Sequence, residues 1–121
     1  MPIEHVLLFD RLRQLPWPEP EEGRPDPEKL LSGEPVNRTW NLYESPDGKL
    51  LAGVWESEPG KWRIAYDETE YCTILEGHSI LADEEGQTLD LHPGTSFLIP
   101  PGFKGTWEVV ERTRKEYVVY L

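Results

Sequence analysis

Residue pairs that force a backbone to turn recur from residue 36 onward: Asp47-Gly48, Pro59-Gly60, Glu85-Gly86, Pro93-Gly94 and Pro101-Gly102. The runs between them are too short to bury a helical stripe and suit half-buried strands. The pattern predicts strands near 38–43, 50–56, 61–66, 70–75, 78–82, 87–91, 95–99, 106–111 and 115–120. The Asp-Gly and Glu-Gly pairs suit hairpins, because glycine reaches positive φ without steric cost. The Pro-Gly pairs suit tight corners, because proline fixes φ just ahead of the glycine. No long amphipathic helix and no repeat of fixed period competes with this reading. Many short strands must close around one core, which makes the chain an antiparallel sandwich or barrel, and 121 residues suffice for one such domain.

The first 35 residues have a different texture. Residues 3–9 (IEHVLLF) read as a strand, and six prolines follow between Pro16 and Pro35. A segment so rich in proline cannot be a central sheet strand, so it should run over the surface. Asp26 is a candidate N-cap for a short helix over Pro27-Glu28-Lys29-Leu30-Leu31, with Gly33 stopping it. The expected organisation is an N-terminal strand and proline-rich arm over 1–35 and a barrel over 36–121, forming one compact domain. Trp17, set within PWPEP, is placed to pin that arm to the barrel or to a second subunit.

The formal charge of −11 argues against a nucleic-acid partner, since nonspecific affinity for a phosphate backbone needs clustered positive charge. Arg112, Arg114 and Lys115 form the one dense basic stretch, which a strand edge explains as well as a ligand site does. Asp83-Glu84-Glu85 reads as a solvated turn. No apolar run is long enough to span a membrane and no secretion signal opens the chain, so the expected location is cytoplasmic. The lone Cys72 cannot form an intrachain disulfide.

The stretches GVWESEPGKWRIAY (53–66), EYCTILEG (70–77), LHPGTSFLIPPGFKGTWEV (91–109) and RKEYVVY (114–120) resemble a small single-domain cupin. The resemblance is to the branch containing the cupin domain of ureidoglycine aminohydrolases and related uncharacterised cupins. It implies an all-β, antiparallel double-stranded jelly-roll barrel, often a homodimer and sometimes a carrier of a divalent metal. Metal-bearing cupins use two histidines and a glutamate in a first motif and a third histidine in a second. Here Glu70 falls on the family glutamate, but the first-motif histidine positions fall near Ile64 and Tyr66 and the second-motif one on Gly105, while Gly94, Pro100 and Gly102 keep the expected spacing. The three histidines present, His5, His78 and His92, lie far apart in the chain, and nothing in their spacing brings them together. A tight metal site is therefore not expected, nor is a cofactor.

Strand alternation puts Glu70, Cys72 and Ile74 on one side of their strand. If Glu70 keeps the family's inward orientation, Cys72 shares the lumen with it, as do Tyr66 and Ile64, and Trp107 has the parity of Gly105. The candidate ligand-binding residues are thus Glu70, Tyr66, Cys72 and Trp107. Glu70 either pairs with Arg63, Lys104, Lys115 or a ligand amine, or is held by Tyr66 as a core support. Cys72 reads first as a small apolar filler, and Trp40, Trp55 and Trp62 as core residues. Pro100-Pro101-Gly102 fixes the barrel edge, with Phe103 and Lys104 as rim groups. The expected function is noncatalytic binding of a small polar metabolite. The alternatives are a metal-independent hydrolase, isomerase or lyase, and a structural or protein-interaction module.

Overall fold

The structure, a computed structural model, describes residues 1–12 and 17–121. It is nearly all β. Strands β1 (Glu21–Gly23), β2 (Leu30–Gly33), β3 (Asn37–Glu44), β4 (Leu50–Ser57), β5 (Gly60–Ala65), β6 (Thr69–Asp83), β7 (Thr88–Leu91), β8 (Ser96–Ile99) and β9 (Lys104–Tyr120) pair antiparallel throughout. The path runs β1-β3-β4-β9-β5-β2, and β6 pairs with β7, β8 and β9. The sheet curls into a jelly-roll barrel because β6 and β9 are long enough to serve two neighbours each along one edge. On β9, the first half pairs with β5 and the second half with β4, while β6 runs along its other side.

Two of the expected boundaries are not boundaries. Residues 70–75 and 78–82 belong to one strand, as do 106–111 and 115–120. Gly77 stands at φ +90°, where a turn would be expected, but the ladder to β9 continues past it with register shifts between Ile74 and Ser79. The glycine marks a bulge that bends β6 without ending it. A Cβ there would lie 2.0 Å from the Arg112 carbonyl oxygen, so only glycine allows the two strands to approach at the bend.

The strand expected over 3–9 does not form. Ile3–His5 is a single 3-10 turn, Phe9–Leu12 is a single helical turn (α1), and residues 1–8 are exposed. A strand needs a ladder partner, and the β3 and β5 edges are already taken by β1 and β2. The helix expected after Asp26 is likewise reduced to one turn. The Asp26 carboxylate accepts from the Glu28 N–H at 3.0 Å and its carbonyl accepts from the N–H groups of Lys29 and Leu30. So short a helix does not pay its nucleation cost, whereas Leu30 as part of β2 lies opposite Trp62. The proline-rich arm thus contributes only the two outermost strands of the path, where missing N–H donors do least harm. Pro16, the first of its prolines, lies outside the described residues.

Trp17 pins the arm to the barrel. Its ring centroid is 4.8 Å from that of Trp40, the Arg114 guanidinium lies 4.9 Å from it, and the Trp40 indole N–H donates to the Pro18 carbonyl at 2.9 Å. Beside them the buried Glu56 accepts from Arg114 at 2.8 Å and from Arg38 at 3.0 Å. The core proper consists of Trp62, Ile74, Leu81, Leu91, Ile99, Trp107 and Val109, with Trp55, Ile64, Tyr66, Phe97 and Phe103 packed against it.

Candidate functional site

Alternation on three neighbouring strands sends one set of side chains into the barrel. Register places Leu51 and Glu70 on either side of Val119, Gly53 and Cys72 on either side of Tyr117, and Trp55 and Ile74 on either side of Lys115. From this group Leu51, Trp55, Glu70, Lys115, Tyr117 and Val119, joined by Trp62, Ile64, Tyr66 and Trp107 and by Asn37 and Thr39, line a cavity of about 370 Å³. Its walls are aromatic and aliphatic, and its polar groups are concentrated around Glu70.

Glu70 and Lys115 are a buried ion pair. The Lys115 ammonium is 3.4 Å from both carboxylate oxygens, and the two residues are 5% and 7% exposed for Lys115 and Glu70 respectively. The Tyr66 hydroxyl donates to Glu70 Oε1 at 2.8 Å. The ammonium also lies 4.5 Å from the Trp107 ring centroid and 4.8 Å from that of Trp55, so two indole faces share its charge. Burial by itself would lower the Lys115 pKa, but the adjacent Glu70 carboxylate outweighs it and the net shift is upward, so the ammonium stays charged. Burial raises the Tyr66 pKa, which keeps its phenol a donor.

The Pro100-Pro101-Gly102 corner acts on this cluster through the backbone. Gly102, at φ +93°, donates its N–H to the Tyr66 carbonyl at 2.6 Å, and the Tyr66 N–H donates to the Phe103 carbonyl at 2.9 Å. Tyr66 follows the end of β5, and the corner holds it where its hydroxyl meets Glu70. Phe103 and Lys104, expected at the rim, are not in this cavity wall. Phe103 packs on the core, and Lys104 lines a second groove of about 600 Å³ with Lys29, Arg63, Asp83 and Glu84, which has no aromatic wall.

Three of the expected residues, Glu70, Tyr66 and Trp107, thus meet around one cavity. Cys72 faces the same side but is 0% exposed and lies behind the wall rather than in it. Burial pushes its thiol up to about 12, opposed by the Lys115 charge and reinforced by that of Glu70, so it is not a thiolate nucleophile. Of the partners considered for Glu70, it is Lys115 that meets it, whereas Arg63 and Lys104 line the other groove. Trp55 and Trp62, read only as core, and Tyr117, not singled out, also line the cavity. In Arg114-Lys115-Glu116-Tyr117 alternate residues face opposite sides: Arg114 meets Glu56 outside while Lys115 and Tyr117 enter the lumen.

These residues do not fit a divalent metal. Glu70 is the only wall residue with a carboxylate, its oxygens already face an ammonium, and Ile64 and Tyr66 offer no imidazole. Gly105 cannot regain one, since a Cβ there would stand 1.8 Å from the Ala82 carbonyl oxygen. The histidines divide differently. His5 is exposed in the N-terminal turn, but His78 and His92 converge on the outer surface with Asp90.

A curled, fully antiparallel jelly roll with an inward acid at this place in β6 is a cupin barrel. Residues 44–117 match the family described as the EutQ-like cupin domain, and the chain belongs to that family. The expected cupin fold therefore holds, although the ureidoglycine aminohydrolase branch in particular is not what the match specifies. Among solved structures, one similar protein is of unknown function, from Pseudomonas syringae pv. tomato, at 30% identity and TM-score 0.76. The alignment covers 83% of this chain but 43% of that one. The EutQ protein of Clostridium difficile matches at 22% identity and TM-score 0.63, over 71% of this chain and 63% of its own. The polyketide cyclase RemF of Streptomyces resistomycificus matches at 22% and 0.59, over 69% and 64%. This chain thus spans less than two thirds of each of these proteins. No curated protein matches it.

Proposed function

We propose that the barrel binds a small, flat, neutral or dipolar metabolite without a metal ion. The observation that carries this reading is the buried Glu70–Lys115 pair opening onto an aromatic cavity of about 370 Å³. A pocket of that size with apolar walls and a few convergent polar groups is what small-ligand sites are made of. The pair carries no net charge, so it selects for a donor–acceptor edge rather than for a cation. Glu70 already has its counter-ion, and a ligand amine would have to displace Lys115. The Trp107 indole N–H is buried and has no hydrogen-bond partner among the described residues, which supports a ligand bearing an acceptor.

A metal-independent hydrolase, isomerase or lyase is the second reading, supported by the 2.8 Å Tyr66–Glu70 hydrogen bond, a ready acid–base couple. Binding is preferred because both Glu70 oxygens are engaged and neither Tyr66 nor Lys115 is shifted toward easy proton loss. No described helix is long and apolar enough to cross a membrane.

Benzamide, a flat ring with an amide edge, is a suitable probe, followed by the five indole N–H signals in a 15N spectrum. The signals of Trp55, Trp62 and Trp107 should move and that of Trp17 should not. Movement confined to Trp17, or none at millimolar probe, would oppose this reading.

A further inference from the structure

We propose that His78, Asp90 and His92 form a binding site for a divalent transition-metal ion of the zinc class on the outside of the barrel, independent of the cavity. Each side chain offers one ligand atom, and the three atoms all lie within 4.8 Å of one another. The arrangement follows from the hairpin between β6 and β7. Ser79 lies opposite Leu91 and Ile80 opposite Asp90, so continuing the register sets His78 opposite His92, with Asp90 two residues along on the same face. Ser79 and Leu91 are buried, which turns 78, 90 and 92 outward.

The backbone beneath these residues is fixed. His78 follows the Gly77 bulge. His92 is locked into the Pro93-Gly94 turn, where its N–H donates to Thr95 Oγ1 at 3.1 Å and its carbonyl accepts from the Thr95 N–H at 2.9 Å. Without metal, His78 Nε2 and Asp90 Oδ1 share a 2.8 Å hydrogen bond, and the two imidazoles stack with centroids 4.4 Å apart and planes 11° from parallel. Tetrahedral zinc, bound at about 2.0–2.1 Å, requires neighbouring ligand atoms roughly 3.3 Å apart. The His78–Asp90 pair is already inside that separation. His92 is exposed, and its ligand atom stands within 4.8 Å of the other two. The ion would replace the hydrogen bond between His78 Nε2 and Asp90, with the neutral imidazole carrying its one N–H proton on Nδ1.

Two histidines and a carboxylate are a borderline-soft donor set that suits zinc and its first-row neighbours better than magnesium or calcium. Glu111, opposite His78 on β9, and the net charge of −11 favour a cation further. The structural effect would be a clip across an edge, because among the described residues β7 pairs with β6 alone.

The test is titration of the full chain, prepared without a histidine tag, with zinc chloride by calorimetry and by imidazole NMR. One zinc per chain should bind in the micromolar range, moving the ring signals of His78 and His92 but not of His5. H92A and D90N should each weaken binding about tenfold or more, while H5A should leave it unchanged. Since the wild-type NMR response identifies the ligands without any variant, a folding defect cannot mask the answer. An absence of zinc binding at millimolar concentration, retention of full affinity in H92A and D90N, or an equal response from His5 would each overturn the proposal.

Discussion

Replacing Lys115 by Met tests the central claim about the cavity, because Met keeps the unbranched stem and removes only the charge. At 3.4 Å and an effective dielectric of about 20, the attraction to Glu70 is about 5 kcal/mol. Burying the two ions costs several kcal/mol each, so the intact pair contributes little net stability. Removing one partner is a different matter, since it leaves the other's desolvation uncompensated, and Lys115→Met should cost about 3–5 kcal/mol. Loss of the two indole contacts at this desolvated site adds roughly 1–2 kcal/mol each. Urea unfolding, followed by tryptophan fluorescence, measures this against wild type, Glu70→Gln and the double variant. The double variant should be more stable than Lys115→Met alone, because no buried charge remains. A cost below about 1 kcal/mol, or strictly additive single and double effects, would refute the buried-pair argument.

Alkaline stability should fall in a way traceable to Cys72. Its thiol is pushed up to about 12 in the folded chain but ionises near 8.5 when unfolded, so the folded state holds the proton longer and stability declines as pH rises between those values. Tyr117, also raised to about 12 by burial, steepens the decline above about 10, and Cys72→Ala should flatten its first part in pH-dependent melting curves. Gly105→Ala should destabilise by more than about 2 kcal/mol, since the new methyl meets the backbone of β6 rather than a mobile side chain; a change below 0.5 kcal/mol, roughly the surface level, would oppose that reading. A homodimer is expected from a row of apolar residues that register aligns across the outer face: Tyr43, Ala52, Val118, Tyr71 and Leu98, four of them at least 37% exposed. Light scattering should give twice the 14.0 kDa chain mass and Leu98→Glu should halve it, whereas a monomeric wild type at micromolar concentration would oppose the pairing.

How much of this was legible in the sequence varied with how local the cause was. Asp47-Gly48 and Glu85-Gly86 turn as expected because their geometry is set within four residues. Gly77 misled because a bulge and a turn demand the same positive φ, and only the partner strand decides which forms. Residues 3–9 have strand composition, but the edges of β3 and β5 are held by β1 and β2, and that competition lies outside the segment itself. Glu70, Tyr66 and Trp107 were placed by strand parity anchored on the inward glutamate of the cupin resemblance, and the same parity on Lys115, Tyr117 and Val119 would have singled out Lys115 among the partners considered for Glu70. The meeting of His78 with His92 was also within reach, since the Asp83–Gln87 closure of the hairpin fixes the pairing by counting outward.

The position of β9 carries a consequence for the order of assembly. It is the last of the nine strands to be synthesised, yet it pairs with β4, β5 and β6, and without it the path from β1 to β2 has no middle. Helical proteins can gain native contacts while the chain is still emerging, but here early segments have mostly local hairpins to form until the final strand arrives. Such a topology, dominated by pairings between distant segments, predicts slow, late and highly cooperative folding. During that wait the apolar inner faces of β4, β5 and β6 are uncovered, so a ribosome stalled before β9 would present a sticky, unclosed half-barrel. Quality-control machinery would have more to recognise in that intermediate than in most destabilised forms of the finished protein.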